Sequence, residues 1–300
     1  MLDLLIIGSG VSGMAAAVYA GRFELKTLIV GEIPGGTITK THLVENYPGF
    51  KSLSGFELAM NLQAHVENIG VPIEQDTIAQ LTRDNAGIFH AITANGKTYD
   101  AKAVLLATGT HHRTLDIPGE KRLKNKGVSY CATCDGPLYR NKIMVCVGGS
   151  DSAIKESLLL SKFGTKVYIV YRGEKVRAEP INQKRLSEAT NIEIITKANL
   201  TEIMGGDRVE KIKLDTGAEI ICDAVFIEIG RLPLTDLAKS LNVSLNEKNE
   251  VVINKASETN IPGFFSAGDC TNTEWKQAIV GVSEGCMAAY SAYQYCSKKV

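Results

Sequence analysis

An apolar run, Leu4-Leu5-Ile6-Ile7, passes directly into Gly8-Ser9-Gly10-Val11-Ser12-Gly13 and then into an alanine-rich stretch ending near Arg22. This transition constrains the fold more than any other feature of the chain. A short run of this kind reads as a parallel strand buried on both faces. Glycines at this spacing allow a tight turn, close approach of a pyrophosphate to the backbone, and close packing of the next helix on the strand. The plan recurs. Residues 143–147 read as a strand, Gly148-Gly149-Ser150-Asp151-Ser152-Ala153 as a turn, 152–162 as a helix and 166–170 as the next strand.

Each copy continues into a meander and a closing strand. In the first, residues 78–83, 88–93 and 97–101 form the meander, with Asn95-Gly96 as a hairpin turn, and 103–106 return as a buried strand. In the second, 209–214, the turn Asp215-Thr216-Gly217 and 219–221 precede the closing strand 224–227. Earlier in the first copy, Ser54-Gly55-Phe56-Glu57 has the form of a capping box and opens a helix that Gly70 stops. Two such copies predict an α/β protein of two related three-layer dinucleotide-binding domains. The tail adds one more apolar strand, ending at Gly268-Asp269, and a long helix through Tyr295. The second copy already has its closing strand, so the tail is expected to complete the first. Residues 1–114 plus 243–300 then form one domain, and 115–242 form a second one inserted in it. Linkers near 115–119 and 242–246 would let one rotate on the other.

With 33 basic and 33 acidic residues the formal net charge is zero, which offers no general attraction to nucleic acid or anionic membrane. No apolar run reaches the roughly 18 residues that span a bilayer. The seven cysteines are an odd number and five stand singly, which argues against a secreted disulfide scaffold and for the cytoplasm.

Cys131-Ala132-Thr133-Cys134-Asp135 lies between the two glycine turns. Two cysteines at this spacing can close a small reversible disulfide, and their proximity lowers the pKa of one thiol. A zinc site would need two further ligands, and no second pair with ligand spacing exists, so no metal is expected. An inert structural pair is the remaining alternative. Asp135 is placed to move a proton during thiol–disulfide exchange, or serves as an ordinary turn residue before Gly136-Pro137. The second glycine turn has Ser150 where the middle glycine belongs. Arg172 and Arg177 after the following strand suit a 2′-phosphate, hence NADPH rather than NADH, with a solvated basic strand end as the alternative.

Together these residues resemble the low-molecular-weight thioredoxin reductases along essentially the whole chain. Further agreement comes from Gly35-Gly36, Glu45-Asn46-Tyr47-Pro48-Gly49, Ala107-Thr108-Gly109, Gly268-Asp269 and Lys276-Gln277-Ala278. The resemblance implies an FAD on the first domain, with Gly8, Ser9, Gly10 and Gly13 at its pyrophosphate and Gly36, Thr37 and Asn46 on the flavin side. Ala107, Thr108, Gly109, Gly268 and Asp269 would add to that site, and Lys276, Gln277 and Ala278 would lie near the isoalloxazine ring. It implies NADPH at Gly148, Gly149, Ser150, Asp151, Ser152, Arg172 and Arg177, a homodimer, and a thioredoxin-like partner. Cys134 would be the flavin-proximal sulfur, Cys131 the attacking one and Asp135 the proton donor. The family's basic signature is shortened here to Tyr171-Arg172-Gly173 followed by Arg177. NADH, reduced ferredoxin or F420 therefore stand as alternative donors, and a glutaredoxin-like protein as an alternative acceptor.

Overall fold

The computed structural model describes residues 1–297, which divide into two compact units. The chain begins with β1 (Leu2–Ile7), α1 (Val11–Arg22), β2 (Thr27–Val30), α2 (Gly55–Asn68), β3 (Ile73–Glu74), β4 (Ile78–Arg83), β5 (Phe89–Thr93) and β6 (Thr98–Leu106). The strands order as β3-β2-β1-β6-β5-β4 in one sheet. Side chains alternate between its faces, as the two-residue strand period requires. Leu4 and Ile6 join Met14, Ala17, Ala288 and Ala292 in one core. Leu5 and Ile7 join Leu106, Phe89 and Val251 in another. Both faces of β1 are thus covered, which is why its sequence is uniformly apolar. The capping box forms as the sequence predicts: the Ser54 hydroxyl accepts from the Glu57 amide at 3.1 Å, and the Glu57 carboxylate accepts from the Ser54 amide at 2.7 Å.

A short β7 (Thr110–His112) follows. The second unit then contains β8 (Val128–Ser129), α3 (Ala132–Asp135), β9 (Ile143–Val147), α4 (Asp151–Leu160), β10 (Lys166–Tyr171), α5 (Pro180–Glu188) and β11 (Ile192–Thr196). It ends with β12 (Leu200–Met204), β13 (Lys211–Leu214), β14 (Glu219–Ile221) and β15 (Ala224–Ile227). A parallel sheet ordered β11-β10-β9-β15-β8 forms its middle, and β12-β13-β14 form a separate antiparallel sheet. Val145 and Val147 pack with Ile203 and Ile212 of that smaller sheet, while Met144 and Cys146 face Ala153 and Leu160 of α4. The chain leaves through β16 (Arg231–Pro233), which pairs with β7. It then forms α6 (Asp236–Ser240), β17 (Phe264–Ser266) and α7 (Ala278–Ser297).

The tail does return to the first unit: β17 pairs in parallel with β6, Phe264 opposite Val104 and Ser266 opposite Leu106. Three expectations need correction. The first unit comprises residues 1–111 and those from 233 onward, and the second comprises 112–232, so the crossings fall before 115 and before 243. The cause is that Ala238 and Val243 are buried in the first unit's core and the Ser240 hydroxyl bonds the Leu81 carbonyl at 3.3 Å. Segments 97–101 and 103–106 are one strand, because β6 has β1 along one edge while β5 and β17 share the other. Helix α4 starts at Asp151 rather than 152.

Helix α7 lies against α1 through small residues. A Cβ added at Gly285 would fall 2.1 Å from the Ser12 carbonyl oxygen, and one at Gly281 would fall 2.6 Å from the Ser12 hydroxyl. Gly285→Ala is therefore expected to destabilise the protein by about 1–3 kcal/mol, because backbone must move. Gly281→Ala should cost less, since a hydroxyl can rotate. Equal urea midpoints for the two variants would contradict this packing.

Candidate active site

Cys131 and Cys134 are joined as a disulfide with their Cα atoms 5.3 Å apart. Cys131 is the N-cap of α3, and its Sγ accepts the Cys134 amide at 3.2 Å. An amide aimed at that sulfur is positioned to stabilise a thiolate once the disulfide opens. Asp135 is held by the buried Ser129, whose hydroxyl donates to Oδ2 at 2.6 Å and also accepts the Cys131 amide at 3.0 Å. Cys134 is exposed and Cys131 half-buried. On the preceding residue, burial and the Glu120 carboxylate push the Tyr130 phenol well above its ordinary value. Its hydroxyl donates to Glu120 at 2.6 Å, and the same carboxylate accepts the Leu115 and Asp116 amides at 3.0 and 2.6 Å. Glu120 thereby ties the start of the second unit to the residue beside the dithiol.

The other cysteines have no such setting. Burial raises the Cys146 and Cys270 thiols, and pushes Cys222 up to about 12, so they remain protonated packing groups. Among the described residues no three His, Cys, Asp or Glu side chains converge as metal ligands.

The first glycine turn leaves a cradle. Helix α1 has Gly10 as its N-cap, with no side-chain cap and no acidic residue in its first turn, so its N-terminal amides are open to an anion. A Cβ at Gly10 would meet nothing nearer than the Gly35 carbonyl oxygen, 4.0 Å away. The Ser9 hydroxyl is committed to the Ile33 carbonyl at 2.9 Å, so Ser9 offers its backbone alone. Gly36 and Thr37 begin the short 3-10 turn beside this cradle. Asn46 and Gln277, far apart in sequence, bond each other at 3.0 Å. Lys276 pairs with Glu250 at 3.1 Å and donates to the Thr271 carbonyl, and Ala278 opens α7. Ala107, Thr108 and Gly109 follow β6, with the Thr108 hydroxyl on the Leu234 carbonyl at 2.6 Å.

Sequence reasoning missed Glu284. From α7 it accepts the Gly268 amide at 2.6 Å and bonds the Thr271 and Thr273 hydroxyls, fixing the Gly268-Asp269 turn. A lone carboxylate between Gly281 and Gly285 in an apolar helix was the available signal.

The second turn is more filled. The Arg177 amide donates to the Gly149 carbonyl at 2.6 Å, drawing the basic loop across Gly148-Gly149-Ser150. Asp151 in the first turn of α4 accepts the Glu179 amide and the Asn182 side chain, each at 2.8 Å, while Ser152 is exposed beside it. The Tyr171 ring lies over the turn: a Cβ at Gly149 would come within 2.5 Å of it, and one at Gly173 within 2.6 Å. Arg172 and Arg177 are both exposed.

Two α/β units, each with a glycine turn after its first parallel strand, and a disulfide on the second agree with the pyridine nucleotide-disulphide oxidoreductases, and the chain belongs to that family, matching it over residues 2–285. It is an oxidoreductase and a flavoprotein by that membership. Among its relatives, the thioredoxin reductase of Listeria innocua is 38% identical, the match covering 98% of this chain and 93% of that one. The crystal structure of Lactococcus lactis thioredoxin reductase in its FR conformation has a TM-score of 0.95 at 34% identity, covering 99% of this chain and all of the other. A ferredoxin-flavin thioredoxin reductase from Clostridium acetobutylicum is 31% identical with a TM-score of 0.54, covering 99% of this chain and 98% of its own.

Proposed function

We propose that this protein is a thioredoxin-disulfide reductase that draws electrons from NADPH and delivers them, through Cys131 and Cys134, to a thioredoxin-like protein. The observation that carries the reading is the disulfide at the N-terminus of α3 with Asp135 held by Ser129 beside it. FAD, once bound, would accept hydride from a reduced nicotinamide and supply the two electrons that open the disulfide. The α1 amides behind Gly8, Ser9, Gly10 and Gly13 would face its pyrophosphate, and Gly36, Thr37, the bonded Asn46–Gln277 pair and Lys276 would line its flavin end. Ala107, Thr108, Gly109, Gly268, Asp269 and Ala278 complete that site.

Opening the disulfide takes two electrons and two protons and yields two thiols. Asp135 supplies a proton to the sulfur released at Cys134. The Cys131 sulfur, stabilised as thiolate by the Cys134 amide, attacks the partner's disulfide and forms a mixed disulfide. Cys134 then attacks Cys131, re-forming the internal disulfide and releasing the partner as a dithiol. A cytoplasmic homodimer fits this role. No helix among the described residues is long and apolar enough to cross a membrane.

For the donor, Gly148, Gly149, Ser150, Asp151, Ser152, Arg172 and Arg177 form the proposed nicotinamide site. If Arg172 reads a 2′-phosphate, Arg172→Ala should raise KM for NADPH about tenfold and leave KM for NADH unchanged. Equal shifts for both would remove the basis for NADPH. The Tyr171 ring over Gly149, and the ferredoxin named for the Clostridium relative, favour a second reading with reduced ferredoxin as donor. Anaerobic addition of NADPH, NADH or reduced ferredoxin, followed by flavin bleaching, separates the two readings.

A further inference from the structure

Glu120 is a carboxylate at 1% exposure that the proposed turnover does not use. It accepts three hydrogen bonds. Its Oε1 takes the Tyr130 hydroxyl at 2.6 Å and the Leu115 amide at 3.0 Å, and its Oε2 takes the Asp116 amide at 2.6 Å. The loop that carries it is fixed to the small antiparallel sheet. The Ile203 amide of β12 donates to the Pro118 carbonyl at 3.0 Å. Gly119, at φ +87°, lies so close to the same strand that a Cβ there would fall 1.8 Å from the Ile203 carbonyl oxygen. Just past β12, the Gly205 and Gly206 carbonyls accept the Arg122 guanidinium at 2.9 and 2.7 Å. Glu120 is thus a fixed point, and a buried carboxylate is destabilised by each donor it loses.

Tyr130 carries that fixity to the dithiol. Strand β8 is in register with β15 at Val128 and Ser129, and α3 begins at Ala132 with Cys131 as its N-cap. Tyr130 is the residue between the end of the paired strand and the cap that bears the sulfur. Its attachment has two separable parts. The ring meets the His112 ring at a centroid distance of 5.8 Å and lies 5.9 Å from the Lys124 ammonium. The hydroxyl goes to Glu120. Burial and that carboxylate push the phenol well above its ordinary value, so it remains a donor at neutral and alkaline pH.

We propose that Tyr130, held through its hydroxyl by Glu120, is a positioning residue for Cys131 that favours the closed disulfide over the open dithiol. Closing the S–S bond takes two electrons and two protons from the two thiols. How far that equilibrium lies toward the disulfide depends on the effective concentration of one thiol at the other. That concentration falls as the backbone carrying either thiol gains freedom. Cys134 lies within α3, whereas Cys131 is at its edge, so the freedom that matters is at 130 and 131. In the closed form the S–S bond itself restrains Cys131. In the open form the surrounding protein must do so, and the Glu120–Tyr130 bond therefore removes conformations chiefly from the dithiol.

The inference rests on the dithiol being redox-active but not on any donor or acceptor protein. The holoprotein is equilibrated anaerobically in mixtures of reduced and oxidised dithiothreitol, and the thiols at Cys131 and Cys134 are counted by alkylation and mass. Tyr130→Phe keeps the ring and removes the hydroxyl. It is expected to lower the equilibrium constant for disulfide closure about three- to tenfold, or roughly 15–30 mV toward easier reduction. Lys124→Ala, which alters the ring's other contact, should leave the midpoint at the wild-type value. A bond that serves the fold alone would stabilise oxidised and reduced protein equally and move neither. An unshifted midpoint in Tyr130→Phe, or an equal shift in Lys124→Ala, overturns the proposal. Glu120→Gln weakens the same bond by removing the acceptor's charge. Its midpoint should move in the same direction, and it decides where Tyr130→Phe does not fold. Failure of the thioredoxin reductase reading would show elsewhere, as absent turnover with the shift intact.

Discussion

Cys134→Ser is expected to lower reduction of a thioredoxin disulfide by a factor on the order of 10³ or more. The disulfide at the N-terminus of α3 is the only such bond among the described residues, and the remaining cysteines are kept protonated by burial or stand apart from it. Serine at position 134 keeps the backbone amide that faces the Cys131 sulfur, so α3 should persist. What is lost is the resolving thiol, and with it the release of the partner from a mixed disulfide. Cys131→Ser should be as inactive toward the partner, yet its flavin should bleach with the donor as fast as in wild type. Trapping a stable mixed disulfide with Cys134→Ser, seen as a covalent adduct cleaved by dithiothreitol, identifies Cys131 as the attacking sulfur. Full disulfide reduction by Cys134→Ser would contradict the assignment.

Gly8→Ala is expected to be the most damaging single substitution at the first nucleotide turn. Gly8 has φ +112°, a conformation closed to alanine without strain, and a Cβ there would fall 2.2 Å from the Ala107 carbonyl oxygen. Both obstacles are backbone, and relieving them displaces the end of β6 together with Ala107-Thr108-Gly109. A loss of about 3 kcal/mol or more follows, measured by urea unfolding, with purified protein largely free of flavin. Gly10→Ala separates stability from cofactor binding. Its Cβ would meet no protein atom closer than 4.0 Å, so the fold should be unaffected while the methyl group occupies the space proposed for the pyrophosphate. Gly10→Ala should thus fold and lose flavin. If it folds and keeps its flavin at wild-type stoichiometry, the cradle is misassigned.

The two-unit plan was legible because both units repeat a pattern that physics makes distinctive: an apolar run, a glycine turn, then a helix. The return of the tail was legible from strand accounting alone, since the second copy already had its closing strand and the first could take one more, which Phe264–Ser266 supplies beside β6. The crossings were harder to locate. Residues 233–242 carry no glycine, and Leu234, Leu237, Ala238 and Leu241 recur with a helical period that does not say which unit the run joins; the burial of Ala238 and Val243 and the Ser240–Leu81 bond assign it to the first. The division of β6 between β5 and β17 is also a tertiary fact, invisible in the run Thr98–Leu106 itself.

The site divides along similar lines. The Cys131–Cys134 disulfide was legible because two cysteines at that spacing between two glycine turns have few other uses. Ser129 was not, since a serine two residues before a cysteine becomes informative only when its hydroxyl is seen to reach Asp135. Glu284 is an ordinary glutamate in sequence, and its meaning comes from its partners on the Gly268-Asp269 turn. Tyr171 could be noticed as a departure from the family's basic signature, but its ring lying over Gly149 required coordinates.

In the proposed cycle the Cys131–Cys134 disulfide stores electrons delivered through a bound flavin. Anaerobic reductive titration of the holoprotein with its donor, followed by flavin absorbance and by thiol count, tests it most directly. The wild type is expected to consume one more two-electron equivalent per chain than Cys131→Ser, with two new thiols appearing as it does so. Equal consumption by both proteins, with no new thiols in the wild type, would contradict it.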